Sequence, residues 1–365
     1  MTGRATAKGL FALLFFLALG GACGGGAQSP SLTPFPSRAA STPALPSPAP
    51  STTAPAPARA LPDRDLLDLA KRFRGVPANT AMVARNSPYS YNVGDQQRFS
   101  LLNLDTPRIV TISATLRRIT DHAYFFVEDG SPYTEEALSQ IGSDFESLVY
   151  PTVHNRFGTE WTPGVDSDPR ITVLHANLSG AGGYFSADDE YPVVIVPNSN
   201  EREMVYLDAG ALGSPGPAYN ALLAHELQHL VHWHADPGEE SWVNEGLSQV
   251  SAEELGGGSD WLSSFLAQPD TQLNYWPPLS ESGIHYAASE LFCSYLLDHY
   301  GGRERAKELL AEQGDGIAGI NEYLAQFGTD FGRVFADWVV ANYLDTADGA
   351  YSHKQVDART RTVTT

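Results

Sequence analysis

Two histidines and a glutamate lie close together in the stretch His-Glu-Leu-Gln-His at residues 225–229. On a helix, His225 and His229 project from one face about 6 Å apart, so both imidazoles can bind one metal ion. Glu226 directly follows the first histidine, in the position of the general base in zinc hydrolases. The spacing predicts a zinc site with two histidine ligands and a base. The alternative is an exposed helix that carries polar residues.

A third ligand must come from elsewhere, because catalytic zinc usually takes three protein ligands and leaves the fourth position to water. Glu245, in the later stretch Trp-Val-Asn-Glu-Gly-Leu, is the predicted third ligand. His232 shares the helix face but lies about 10.5 Å along the axis from His225, too far for both to bind one zinc ion. The longer zinc pattern HExxHxxGxxH is excluded by His232 and Ala235. We interpret His232 and His234 as residues of the helix end or of the rim of the site.

Rigid elements must hold these side chains in place. Residues 218–234 contain neither Gly nor Pro, Pro217 precedes them, and Asp-Pro-Gly follows at 236–238, which predicts a helix under the motif. A second helix is predicted to begin near Ser241, a favourable N-cap, and to end at three consecutive glycines. The third ligand would project from the first turns of this second helix.

Two helices joined by a short turn, with HExxH on the first and a glutamate on the second, resemble the gluzincin metallopeptidases. The stretch Asn244-Glu245-Gly246-Leu247 resembles their third-ligand motif. Across residues 95–345 the chain is most similar to the hyicolysin family of bacterial secreted neutral proteases. This wider resemblance rests on Gly182-Gly183-Tyr184, Ser199-Asn200-Glu201-Arg202-Glu203 and His285-Tyr286-Ala287-Ala288.

The resemblance implies a role for residues beyond the metal ligands. Gluzincins place a Tyr or His from the downstream helical part next to the oxyanion, so Tyr286 and His285 are candidate catalytic residues. Alternatively, Tyr286 packs inside a helix. Many gluzincins orient a zinc histidine with an acidic residue four positions after the ligand glutamate, where this chain has Gln249. An amide oxygen accepts the histidine N–H but adds no negative charge. We expect Asn244 and Gln249 to contact the zinc ligands from outside.

The predicted activity is that of a zinc metalloendopeptidase, in which a zinc-activated water attacks the peptide carbonyl and Glu226 moves the proton. Residues 182–185 are predicted to form an edge strand that pairs with an extended peptide or protein substrate. One alternative is a zinc aminopeptidase, although residues 180–183 offer no acidic group for a free amine. A non-catalytic cell-surface binding protein on a peptidase fold is the other alternative, and the intact Glu226 speaks against it.

The N-terminus is typical of an exported bacterial protein. Residues 1–23 combine Arg4, Lys8 and an apolar run at 10–19, which is shorter than the roughly 20 residues of a transmembrane helix. Cys23 follows small residues, so we predict a lipoprotein signal with Cys23 as the lipidated residue. A lipobox normally has Leu where this chain has Gly20, which leaves simple cleavage and secretion as the alternative. The enzyme is therefore expected outside the cytoplasm, attached to a membrane only through this lipid.

Composition divides the remaining chain. Residues 24–60 are rich in Pro, Ala, Ser and Thr and predict a disordered stalk. Patterning predicts an α+β fold, in which a β-rich N-terminal part at 61–217 meets a mainly helical C-terminal part at 218–350, with the zinc helix at their junction. A tail follows at 351–365. The predicted helices are 62–75, 134–157, 286–299, 303–312 and 331–344, and the predicted strands include 171–175, 193–196 and hairpins between 99 and 129.

The net charge of −20 argues against a nucleic-acid partner, because the chain has no basic patch. Acidic clusters are candidate calcium ligands or, alternatively, parts of solvated loops. They are Asp166 and Asp168, and Asp188, Asp189 and Glu190. Cys293 falls in an apolar helical pattern and is predicted to be a buried hydrophobic residue rather than part of a disulfide framework.

Overall fold

The computed structural model of the protein describes residues 14–16, 65–103, 106–356 and 358. Helices and strands both occur in this part of the chain, so the predicted mixture of α and β structure is confirmed. The predicted lipidation site Cys23 and the predicted stalk at 24–60 lie outside the described residues. Among the described helices, none is both long and apolar enough to cross a membrane.

The strands form one seven-stranded sheet. They are β1 (Leu14–Phe16), β2 (Gln96–Asn103), β3 (Arg108–Ile119), β4 (Ala123–Glu128), β5 (Ile171–Ala176), β6 (Gly183–Phe185) and β7 (Met204–Asp208). Their order across the sheet is β1-β6-β7-β5-β4-β3-β2. The pairs β4–β5, β5–β7 and β1–β6 are parallel, and the other pairs are antiparallel.

Strand β4 is buried on both of its faces. Because successive side chains of a strand point to opposite faces, Phe125 and Val127 enter the large core that the helices share, whereas Tyr124 and Phe126 enter a second core on the other face. This explains why β4 is a continuous apolar run and not an alternating one.

Ten α-helices accompany the sheet in the described part of the chain. They are α1 (Leu66–Arg74), α2 (Glu135–Asp144), α3 (Tyr150–Phe157), α4 (Pro217–Ala235), α5 (Ser241–Glu253), α6 (Leu262–Ala267), α7 (Leu279–His299), α8 (Ala306–Leu309), α9 (Ile317–Ala325) and α10 (Phe331–Leu344). A π-helical turn at Phe145–Val149 joins α2 to α3. Residues 351–356 return to α7, where His299 Nε2 lies 2.9 Å from the carbonyl oxygen of Ser352.

Helix α4 contacts β6 and β7 as well as α5, and α5 packs in turn on α7. Leu223, Leu227 and Leu230 form the apolar stripe of α4 and are buried in the large core. Burial of each leucine side chain contributes about 1.5–3 kcal/mol. The helix that carries the histidines is therefore held on several sides by apolar contacts.

Several local predictions are wrong. Residues 193–196 form turns in which Val193 and Val194 are about half exposed, whereas the strand of this region is the buried β7. Ser241 is the first residue of α5 and not its N-cap, which is Glu240 and makes no side-chain capping bond. The helix expected at 303–312 is reduced to a 3₁₀ turn at Arg303–Arg305 followed by α8.

Candidate metal centre

The predicted helix boundaries at the motif are confirmed within a residue or two. Pro217 occupies the first turn of α4, where its missing N–H costs nothing, and Asp236 is the C-cap. His225, Glu226 and His229 are each fully buried on this helix. The alternative of an exposed polar helix is therefore wrong.

Three side-chain atoms converge at one point beside α4. His225 Nε2 lies 3.0 Å from His229 Nε2, and Glu245 Oε2 lies 3.3 Å from the first and 3.4 Å from the second. Ligands about 2.0–2.1 Å from a tetrahedral zinc ion are separated by about 3.3 Å. The three distances agree with this value, so these residues fit a zinc ion.

The helix that carries Glu245, α5, lies very close to α7. A Cβ atom on the neighbouring Gly246 would lie 2.6 Å from Cys293 Sγ and 2.8 Å from the carbonyl oxygen of Ser289. Any side chain at position 246 would therefore push the two helices apart. The predicted burial of Cys293 is confirmed, since it is completely inaccessible.

The outer nitrogen of each histidine contacts an amide oxygen. His225 Nδ1 lies 3.2 Å from Gln249 Oε1, and His229 Nδ1 lies 2.5 Å from Asn244 Oδ1. Since an amide oxygen only accepts, both Nδ1 atoms carry the proton and both Nε2 atoms present a lone pair. The imidazoles are thus held in the tautomer that binds a metal through Nε2.

Ser248 is a neighbour of the site that the sequence analysis missed. Its hydroxyl lies 3.0 Å from His229 Nδ1 and also contacts Gln228 Oε1. One turn separates Ser248 from Asn244 on α5, so the two side chains share the face directed at α4. The four-residue spacing between Asn244 and Ser248 could have identified Ser248 from the sequence.

Glu226 is completely buried next to the candidate metal ligands. Both of its carboxylate oxygens are buried and have no hydrogen-bond partner among the described residues. A Cβ atom on Gly183 of β6 would lie 2.8 Å from Glu226 Oε1. Burial, reinforced by the negative charge of Glu245, raises the pKa of Glu226 well above its usual value.

The carboxylate of Glu245 has the opposite electrostatic character. Burial works against its ionised form, but His229 and His225 outweigh burial and lower the pKa of Glu245 to about 2. Burial also lowers the pKa of His225, although Glu245 opposes this shift. A neutral imidazole and an ionised carboxylate are the forms that bind zinc.

The two candidate oxyanion donors differ in position. Tyr286 is buried, and its ring centroid lies 6.4 Å from that of His225. Burial, reinforced by the nearby charges of Glu245 and Glu226, raises the pKa of Tyr286 well above its usual value. His285 directs its ring toward Tyr275 and Trp276, at centroid distances of 5.7 and 6.4 Å. Of the two candidates, Tyr286 is the one that contacts a metal-binding residue.

His232 and His234 both lie in the last turn of α4, so their interpretation as helix-end residues is confirmed. The alternative position at the rim of the site is wrong for His232, which is buried, whereas His234 is exposed. His232 is 1% exposed, and burial together with nearby His229 lowers its pKa to about 3. The sequence analysis considered His232 only as a ligand of the first metal ion. It therefore overlooked the acidic residues that follow α4.

The acidic clusters are not solvated loops. Asp166, Asp168, Asp189 and Glu190 are all buried, and only Asp188 is half-buried. Asp168 and Asp189 accept hydrogen bonds from tyrosine hydroxyls, at 3.0 Å from Tyr124 and 2.5 Å from Tyr206. Glu203 also belongs to this cluster, although it lies further along the sequence. Glu190 and Glu203 each have a buried carboxylate oxygen that accepts no hydrogen bond from the described residues.

The segment predicted as an edge strand does form a strand, β6, but it is not at the edge of the sheet. One side of β6 pairs with β7 and the other pairs in parallel with β1, where Phe15 is opposite Tyr184. The side of β6 that pairs with β1 thus holds an extended segment of polypeptide close to Glu226.

Comparison with known proteins adds no family assignment. Neither a protein-family model nor a curated protein matches the chain.

Proposed function

We propose that the protein is an extracytoplasmic zinc metalloendopeptidase of the gluzincin type, similar to the hyicolysin family, which acts on protein or peptide substrates. The observation that carries the proposal is the convergence of His225 Nε2, His229 Nε2 and Glu245 Oε2 within 3.0 to 3.4 Å of one another. The position of Glu226 beside them supports hydrolysis rather than metal binding alone.

When bound, zinc supplies a Lewis acid and lowers the pKa of a coordinated water to about 7. Glu226 accepts a proton from the attacking water and delivers it to the leaving nitrogen. Its burial favours this role, because a carboxylate withdrawn from solvent is more basic than a solvated one. The raised pKa of Glu226 agrees with this stronger basicity.

Tyr286 is the proposed donor to the carbonyl oxygen that becomes negatively charged. Its ring lies next to that of His225, with centroids 6.4 Å apart, which supports a position near the substrate carbonyl. In the proposed mature protein, cleavage before Cys23 removes β1, and an extended substrate takes its place beside β6, where main-chain hydrogen bonds hold it next to Glu226. The contact between Gly183 and Glu226 supports this placement.

Hydrolysis of casein by the purified protein tests the proposal. The protein is assayed as isolated, after chelation and after return of zinc, together with Glu226→Gln. We expect activity to follow zinc and to fall about 10²- to 10⁴-fold in Glu226→Gln while the zinc content is unchanged. Bound zinc without hydrolysis of any peptide would instead favour the non-catalytic binding protein.

An N-terminally acetylated peptide separates the endopeptidase from the aminopeptidase. An endopeptidase cleaves the acetylated and the free peptide at the same internal bond, whereas an aminopeptidase does not cleave the acetylated peptide. Mass spectrometry of the mature N-terminus tests the proposed location. A diacylglyceryl group on Cys23 is the expected result, and an unmodified start elsewhere would indicate secretion by simple cleavage.

A further inference from the structure

A second group of metal-ligating side chains lies at the C-terminal end of α4. His232, Asp236 and Glu239 each offer one ligand atom, and these atoms all lie within 4.8 Å of one another. None of the three belongs to the group formed by His225, His229 and Glu245. The second group therefore needs an explanation of its own.

The backbone fixes all three residues of this second group. His232 and Asp236 are four residues apart at the end of α4 and hence lie on one face, and the Asp236 N–H donates to the His232 carbonyl at 2.7 Å. Asp236 Oδ1 accepts from the Gly238 N–H at 3.1 Å. Glu239 Oε1 accepts from the Gly316 N–H at 2.7 Å. The short turn between α4 and α5 thus folds the two carboxylates back toward the imidazole.

The burial of these three side chains and the negative charge around them suit a bound cation. The imidazole of His232 is buried, whereas Asp236 and Glu239 are half-buried, so an ion can enter from solvent and meet a nitrogen ligand inside. Glu239 also lies in the field of a further carboxylate, that of Asp315. Concentrated negative charge of this kind is offset by a bound cation.

One imidazole and two carboxylates are a mixed nitrogen and oxygen donor set. Calcium and magnesium prefer oxygen ligands alone, whereas zinc accepts nitrogen and carboxylate oxygen together. The donor set therefore favours a zinc-type divalent ion.

A chain of side-chain contacts connects this group to the first one. His232 Nδ1 lies 3.3 Å from Gln228 Nε2, Gln228 Oε1 contacts the Ser248 hydroxyl, and this hydroxyl lies 3.0 Å from His229 Nδ1. All of these side chains are buried. An ion bound to His232 would therefore stabilise the arrangement of α4 and α5 that holds His229.

We propose that His232, Asp236 and Glu239 form a second divalent-metal site, which binds a zinc-type ion and braces the turn between α4 and α5. This site goes beyond the proposed peptidase function. Its metal content can be measured whether or not the protein hydrolyses peptides.

Zinc stoichiometry tests the second site. The purified full chain is equilibrated with a molar excess of zinc, and bound zinc is counted by mass spectrometry of the metal. We expect two equivalents in the wild type, and one in Asp236→Asn and in Glu239→Gln. Asp270→Asn is the matched control, because it removes one negative charge at an exposed position and should retain two.

His225→Ala distinguishes failure of this site from failure of the first. The variant should lose one equivalent of zinc and keep the one that Asp236→Asn removes. A wild type whose single equivalent is lost in His225→Ala, or an Asp236→Asn protein that still binds two, would overturn the second site. Thermal unfolding gives a further measurement on the wild type: the second equivalent of zinc should raise Tm, and it should not do so in Glu239→Gln.

Discussion

The amide oxygen of Gln249 lies 3.2 Å from Nδ1 of His225, on the side of the imidazole opposite to the metal-binding nitrogen. A carboxylate in this place would make the imidazole a stronger ligand, because it would share the Nδ1 proton. A neutral amide fixes the orientation of the ring without this effect. We therefore expect Gln249 to set how strongly His225 binds the proposed zinc ion.

Substitution of Gln249 should change zinc affinity in both directions. Gln249→Ala removes the acceptor, and we expect zinc binding about 10- to 100-fold weaker. Gln249→Glu adds a negative charge and should tighten binding. Competition with a chromophoric chelator measures both, with Gln268→Ala as the exposed control. Equal affinities in all four proteins would exclude the contact from metal binding.

A single methyl group at position 183 should disturb the general base. The added Cβ would lie 2.8 Å from Glu226 Oε1 and 2.9 Å from the carbonyl oxygen of Tyr206, so either Glu226 or β6 must move. We expect Gly183→Ala to lower kcat/KM about 100-fold at unchanged zinc content, because small displacements of catalytic groups are costly. Gly213→Ala is the control, since its methyl group meets no atom within 4 Å. Wild-type activity in Gly183→Ala would place Glu226 outside the reaction.

Loss of the Tyr286 hydroxyl should affect turnover more than metal binding. If this hydroxyl stabilises the developing negative charge, Tyr286→Phe lowers kcat by about 10²- to 10³-fold with little change in zinc content. Tyr343→Phe, at a residue that is 57% exposed, is the matched control. Steady-state kinetics on one internally cleaved peptide gives the comparison, and an unchanged kcat would limit Tyr286 to packing.

The buried carboxyl cluster should make the protein less stable as the pH rises. Burial raises the pKa of Asp189 to about 7 and that of Glu203 to about 8. Burial, with repulsion from Glu203, also raises the pKa of Glu190 well above its usual value. Arg202 offsets part of the shift in Asp189. These folded-state pKa values lie above those of unfolded chains, so the folded protein binds more protons between about pH 4 and 8. The stability contributed by these protons is lost across that window.

Urea unfolding at pH 5.5 and pH 8 measures this loss. Glu190→Gln imitates the protonated carboxyl at every pH, so it should raise the free energy of unfolding at pH 8 by about 1–3 kcal/mol and change it little at pH 5.5. Asp121→Asn removes an exposed carboxylate and is the control. A stabilisation of equal size at both pH values would mean that the pKa of Glu190 is not raised in the folded protein.

Local sequence signals were sufficient for α4 and α5. Pro217 and the Asp-Pro-Gly stretch bound the first helix, and the HExxH spacing is a helical one, so a prediction from neighbours along the chain could place these residues. The partners Asn244 and Gln249 followed from the same short window. Each of these contacts joins α4 to the very next helix.

Contacts between segments that are far apart in the sequence could not be predicted from such local signals. The turn at 193–196 has the composition of a strand, but its valines are half exposed, and the buried partner of β5 is β7. Glu203 meets Glu190 only after β7 has been positioned in the sheet. His232 was compared only with His225, although the acidic residues that approach it lie beyond the end of the helix.

Because α5 and α7 are in close contact, Cys293 can report when these two helices separate. The thiol lies against Gly246 with no accessible surface, and burial raises its pKa above the usual value, so it is neither reachable nor ionised in the folded protein. A maleimide can modify Cys293 only after α5 and α7 separate. Since the same separation withdraws Glu245 from the histidines, the rate of thiol labelling at this position measures how often the metal-binding residues come apart.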